Sequence, residues 1–308
     1  MKKTVIAAAM LSAPLAFPAL ADTLFTPQNV TGGLNVGTLS GETKERVYAP
    51  DEGGRKLSQL NWKYKNAAVL KGHIDWDLMP WVTLGASGWT TFASKGSHMD
   101  DYDWLNANQK DWTDHSSHPN TTLSYANQFD LNAKGWFITQ PDWRLGVMAG
   151  YQESRYSFYA KGGHHNYANG TDVGDFPAGL KVIGYQQHYK MPYIGLTGNY
   201  RYEKIEASAT FKYSPWARAS DTDKHYLRDM TFHEKTRHQD FYSLEGNVGY
   251  WLTDHAKIYI DAAWSRVENK KGSQMYYDGI NDTVGGSSKA SGIENYNFIT
   301  SVGLDYRF

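Results

Sequence analysis

The last residues of this chain alternate without a break: Val302, Leu304, Tyr306 and Phe308 are apolar, whereas Gly303, Asp305 and Arg307 are not. A period of two places the two sets on opposite faces of an extended strand. The same pattern recurs far upstream. Phe129, Leu131 and Ala133 alternate with Asp130, Asn132 and Lys134. Ala207, Ala209, Phe211 and Tyr213 alternate with Glu206, Ser208, Thr210 and Lys212. Ile258, Ile260, Ala262 and Trp264 alternate with Tyr259, Asp261, Ala263 and Ser265. Such a chain folds as two-faced sheet, with one face apolar and the other wet.

A soluble two-sheet sandwich gives that signal too, and three features favour a membrane barrel instead. Met1 to Ala21 read as a secretory signal: Lys2 and Lys3 are positive, Val5 to Phe17 are apolar, and Ala19-Leu20-Ala21 is a small-x-small cleavage site. The exported chain then begins near Asp22 and forms one domain over 22–308. It ends on an aromatic, Phe308. Aromatic residues make up 15% of the sequence, with 22 Tyr and 11 Trp, a load that suits aromatic girdles at two lipid interfaces.

Other classes are excluded. No segment after the signal has ~18 consecutive apolar residues, so no helical span is expected. Without Lys2 and Lys3, 29 basic residues face 32 acidic ones, which offers nucleic acid no bulk attraction. The absence of cysteine removes disulfides and thiol nucleophiles.

The fold class expected is all-β: a ten-stranded antiparallel transmembrane β-barrel, with strands near 32–47, 55–76, 79–95, 122–138, 143–162, 180–201, 205–219, 231–252, 256–272 and 293–308. Short turns near Leu78, Gln140-Pro141-Asp142, Glu203 and Asp254-His255 alternate with long loops at 96–121, 163–179, 220–230 and 273–292. Short turns lie on the periplasmic side of such barrels and long loops outside. The strands exceed the ~9–11 residues needed to cross. The barrel should therefore rise above the membrane and hold a site at its mouth. Ten strands enclose too little lumen for a wide pore.

Two acidic clusters fall at the external strand ends: Met99 to Trp104, and Ser220 to His225. Residues i and i+2 share a face, so Asp101 goes with Asp103, and Asp223 with His225. A carboxylate beside an imidazole orients it for proton transfer. Two close carboxylates hold a proton between them. Together they could bind and deprotonate a water. Taken singly, Asp-rich segments are turn formers or weak Ca²⁺ sites.

On the lipid face, the parity of Leu145, Val147 and Ala149 carries through Tyr151, Glu153 and Arg155. The parity of Ile194 and Leu196 likewise places His188 and Lys190 outward. Charges facing hydrocarbon cost roughly 2–4 kcal/mol at the midplane and little near the interface, so these sit at headgroup height. They either snorkel at the rim or dock the phosphates of lipopolysaccharide. His115 and His118 in the loop 96–121, and His164-His165 in 163–179, have no metal-site spacing and read as solvated.

Across essentially the whole exported chain these residues resemble the omptin family of outer-membrane endopeptidases. The resemblance rests on Gly37 to Gly41 with Lys44 to Tyr48, Met99 to Trp104, Trp112-Thr113-Asp114 with His118-Pro119, Tyr151 to Phe158, Met191 to Leu196, Asp221 to Tyr226, and Gly292 to Tyr296. It implies Asp223 and His225 as a dyad that activates water, opposite an Asp101–Asp103 couple, without an acyl-enzyme. Ser116 and Ser117 are then not nucleophiles. It implies that Glu45 and Asp221 receive a basic side chain on the N-terminal side of the cut, with Asp114 on the far side. Carboxylates suit that task because they give a guanidinium charge-assisted hydrogen bonds.

It also implies no metal or organic cofactor, lipopolysaccharide as an activator, and Tyr151, Glu153, Arg155, His188 and Arg237 as its contacts. At His188 the best-known pattern has arginine, and imidazole is mostly neutral at pH 7. The resemblance extends to an outer-membrane location with the site facing outward, and to antimicrobial peptides or host proteins such as plasminogen as substrates. The competing reading is a non-catalytic adhesin that binds host matrix through the same loops. A lipid A–modifying enzyme would need its catalytic groups on the lipid-facing wall.

Overall fold

The computed structural model describes residues 30–308; the signal segment and its cleavage site lie outside the described residues. Eleven strands form one antiparallel sheet: β1 (Val30–Ala49), β2 (Arg55–Met79), β3 (Val82–Ala93), β4 (Ser97–Asp103), β5 (Asp114–Thr139), β6 (Trp143–Tyr167), β7 (Asp172–Tyr202), β8 (Ile205–His225), β9 (Met230–Trp251), β10 (Ala256–Asp278) and β11 (Thr283–Arg307). Each pairs with its neighbour, and β1 pairs with both β2 and β11, which closes the ring. Both β3 and β4 bridge β2 and β5, so they are one barrel position interrupted near Gly96, whose φ is +79°. The ring has ten positions, as the alternation predicts. Closure leaves no open sheet edge, which a lipid-embedded backbone requires.

Alternation sorts the side chains as expected. Leu34, Val36, Leu131, Val147, Ile194, Leu196, Ile260, Val302 and Leu304 form an exposed apolar belt. Their sequence neighbours point into the lumen. There Lys212 pairs with Asp130 at 2.7 Å, and Lys257 with Glu206 at 2.8 Å and Asp305 at 3.0 Å. Buried charges of this kind need such partners. Lys212, Lys257, Glu206 and Asp305 line a polar cavity of about 560 Å³ in the lower barrel.

An aromatic floor closes that cavity from above. Trp62 stacks on Tyr185 with ring centroids 5.4 Å apart, Tyr64 meets Tyr156 at 5.9 Å and Phe158 at 5.8 Å, and all five rings are buried. Fully buried rings of this size dominate core energetics. They form a rigid base on which the outer groove stands.

The outer half corrects the expectation of long loops. Residues 97–103 and 114–121 are strand, and the segments 163–179, 220–230 and 273–292 are mostly strand. The connections shrink to 104–113, 168–171, 226–229 and 279–282. Above the membrane both faces of the wall meet water, so the apolar half of the alternation disappears although the backbone pairing continues. Thr283 to Ser287, for example, are exposed or half-buried throughout, yet pair with β10. His115, His118, His164 and His165 are consequently strand residues. His118 is also fully buried: Gly162 and Ser116 lie within hydrogen-bonding distance of its two ring nitrogens.

Candidate active site

The end of β8 carries Asp221, Asp223 and His225 on one face, all buried. His225 Nε2 donates to Asp223 Oδ2 at 2.6 Å. On its other side, Nη2 of Arg228 lies 2.6 Å from His225 Nδ1. A guanidinium can only donate. Nδ1 is therefore the bare nitrogen, and the ring proton sits on Nε2.

Asp101 and Asp103 project from β4, which lies four barrel positions away from β8 on one side and six on the other. Ser58 of β2 donates to Asp101 Oδ1 at 3.3 Å. Desolvation raises Asp101 well above the ordinary carboxylate range, and the charges of Asp103 and Asp223 push it further up. Asp103 is raised as well, first by burial, although Ser58 and Arg228 oppose the shift. The two expected pairs thus face one groove and sense each other's charge. Burial and mutual repulsion both favour the protonated form of the couple, as for close carboxylates in general.

Glu45, on β1, is buried beside Asp221. Burial, then the charges of Asp223, Glu234 and Asp221, drive its carboxyl well up. Asp221 is pushed up to about 8, chiefly by burial, while its Oδ2 accepts from Tyr185 at 2.9 Å. Asp114 opens β5 directly opposite Asp103, and its Oδ1 accepts from the backbone of Ala168 at 3.1 Å. It stands on the couple's wall, away from Glu45 and Asp221.

The outer-wall set is brought together in part. Tyr151 donates to Glu153 Oε1 at 2.6 Å; His188 Nε2 lies 2.8 Å and Arg155 Nη2 3.3 Å from Glu153 Oε2. Lys190 completes the cluster at 4.0 Å. Arg237 does not touch it. The cross-strand row runs Glu153, Lys190, Arg218, Arg237, which leaves Arg237 three strands from Glu153.

Three groove residues were not foreseen from sequence: Ser58, Arg228 and Glu234. The expected loop 220–230 contained Arg228 and left the register of Glu234 in the next strand open. With the turn confined to 226–229, the pairing of His225 with Met230 places Glu234 opposite Asp221. A tight-turn count after His225 was the signal that would have found it.

A closed barrel with an apolar belt, strands rising well above it and a carboxylate–imidazole groove in its outer mouth defines an outer-membrane β-barrel of the enzymatic kind. The Omptin family model matches residues 26–308, and the chain belongs to that family. It is 53% identical to the outer membrane protease OmpP of Escherichia coli K12, over 99% of this chain and all of that one. It is 48% identical to the plasminogen activator of Yersinia pestis, over 92% of this chain and 91% of that one. The crystal structure of the outer membrane protease OmpT from Escherichia coli superposes with a TM-score of 0.89 at 54% identity, covering 92% of this chain and 98% of that one. The protein is accordingly an outer-membrane protease.

Proposed function

We propose that this protease cleaves peptides next to basic residues, preferably between two, by direct attack of water. In this reading His225, held by Asp223, takes a proton from a water that Asp101 and Asp103 position. The resulting hydroxide adds to the peptide carbonyl carbon. The C–N bond then breaks, and the proton passes from His225 to the leaving amine. No acyl-enzyme forms. The observation that carries this is the buried 2.6 Å Asp223–His225 contact facing two carboxyls that burial pushes above the ordinary carboxylate range. Such a pairing is what general acid–base catalysis at neutral pH requires.

Glu45 and Asp221 form the pocket for the basic side chain before the cut. Both are buried beside the dyad and short of cations. Asp114, which is the register partner of Asp103, serves the far side of the cut in this reading. Lipopolysaccharide acts as the activator, its phosphates received by Arg155, His188 and Lys190 around Glu153, with Tyr151 as the flanking contact. Arg237 reaches a neighbouring phosphate along the same row. Antimicrobial peptides and host proteins such as plasminogen are the substrates this reading favours. The relative from Yersinia pestis carries the latter in its name.

The deciding experiment is cleavage of a fluorogenic peptide containing Arg-Arg by refolded protein, with and without rough lipopolysaccharide, beside His225→Ala. Cleavage that needs the lipid and vanishes in the variant supports the proposal. A folded, lipid-supplied wild type that cleaves nothing overturns it.

A further inference from the structure

Glu234 is the one fully buried carboxylate in the groove that the reaction above leaves without work. It stands directly opposite Asp221 across the β8–β9 ladder. Glu45, Asp221 and Glu234 each place an oxygen within 4.8 Å of the other two. They are 1%, 6% and 0% exposed, so water does not solvate their charge. Among the described residues, no lysine, arginine or histidine forms an ion pair with any of them. One oxygen on each, Glu45 Oε2, Asp221 Oδ1 and Glu234 Oε2, is buried without a hydrogen-bond partner. Three buried acceptors facing one another without a cation form a site that waits for one.

The geometry says which cation. A guanidinium is planar and favours both oxygens of a carboxylate at once along an edge. Asp221 and Glu234 cannot offer that. Asp221 Oδ2 is committed to the Tyr185 hydroxyl at 2.9 Å, and Glu234 Oε1 to Gln274 Nε2 at 2.7 Å. Each has one free oxygen left. An ammonium instead presents three N–H groups from a single nitrogen. Acceptors at ordinary hydrogen-bond length around it lie about 4.6 Å apart by tetrahedral geometry. That spacing fits the limit within which these three oxygens fall.

We infer that Glu45, Asp221 and Glu234 together form a pocket for the single charged nitrogen of a lysine side chain. Glu234 is then the residue that tilts the choice before the cut from arginine toward lysine. The inference rests on the proposed cleavage at basic residues, and it adds a substrate class and a specificity-determining residue to it.

The test uses the full barrel with lipopolysaccharide and two peptides that differ only in carrying lysine or arginine before the cut. The readout is the ratio of kcat/KM for lysine to that for arginine. A ratio on one preparation does not depend on the fraction folded. Glu234→Gln should lower the ratio at least tenfold, mainly through a higher KM for the lysine peptide. If Glu234→Gln does not fold, Glu234→Asp keeps the charge but withdraws the oxygen by one methylene, and should lower the ratio several-fold. An unchanged ratio overturns the inference, including when both peptides lose the same factor. A wild type that cleaves neither peptide would instead overturn the proposal of basic-residue cleavage, and this inference with it.

Discussion

Arg228 holds His225 from the side opposite Asp223: its Nη2 stands 2.6 Å from Nδ1, while Nε2 donates to Asp223 Oδ2 at the same distance. The only lone pair with which His225 could accept a proton is therefore occupied in the resting groove. Arg228 itself is exposed and belongs to the four-residue turn at 226–229. Turns of this kind can shift without disturbing the strands they join.

The first prediction follows from that contact. Arg228→Ala should free Nδ1 and raise kcat/KM for short peptides by up to about tenfold, which corresponds to about 1.4 kcal/mol, the scale of one hydrogen bond to a charged group. Steady-state kinetics on a small substrate checks it. A fall would show that Arg228 positions the ring rather than covers it.

The dyad should behave as one unit. Asp223→Ala or His225→Ala should lower kcat by roughly 10²–10⁴, the range that general acid–base catalysis contributes. The barrel should still assemble, because the aromatic floor beneath the groove is untouched. Turnover of the peptide alongside circular dichroism separates the two effects. Near-wild-type turnover in either variant would remove the dyad from the mechanism.

The pH dependence has a sign fixed by Asp221. Its carboxyl is pushed up to about 8 by burial, so below that pH it is neutral and offers a cation little. The kcat/KM for a basic residue before the cut should therefore climb as pH rises through about 8, and a peptide uncharged there should lack this limb. Stability runs the other way. A group whose folded value exceeds its ordinary value of 3.8 contributes stability that is fully present below 3.8 and gone once pH passes about 8. Thermal unfolding of the substrate-free barrel should accordingly move to lower temperature between pH 6 and pH 9. A midpoint that rises over this range would contradict the assignment.

On the outer wall, His188 faces Glu153 at 2.8 Å where a permanent cation would serve phosphate better. His188→Arg should lower the lipopolysaccharide concentration needed for half-maximal activity by several-fold at pH 7.5, with little change in kcat at saturation. Titration of activity against rough lipopolysaccharide tests this. Unchanged half-saturation would take His188 out of the lipid contact.

Much of the fold was legible in the chain because lipid and lumen impose opposite solvents on alternate residues. Leu145, Val147, Ile194 and Leu196 announced the belt, and they are exposed on it. The same logic failed above the membrane. From Thr283 to Ser287 no apolar alternation runs, so the sequence reads as loop although it pairs with β10. Hydrophobic periodicity reports the environment of a strand, not the existence of one.

The sequence by itself determined the alternating strands and the i, i+2 pairs Asp101–Asp103 and Asp223–His225, because both depend only on the local period of an extended chain. Tertiary structure decided what lies across the groove. Glu234 meets Asp221 and Arg228 meets His225 only because the turn after His225 is four residues long and the ladder resumes at Met230. Glu45, far away in sequence, joins them because the ring closes. Which charges share a buried space, and hence which of them keep their protons, is a property of that closure. No local pattern encodes it, since desolvation and mutual repulsion arise only between groups the fold has brought together.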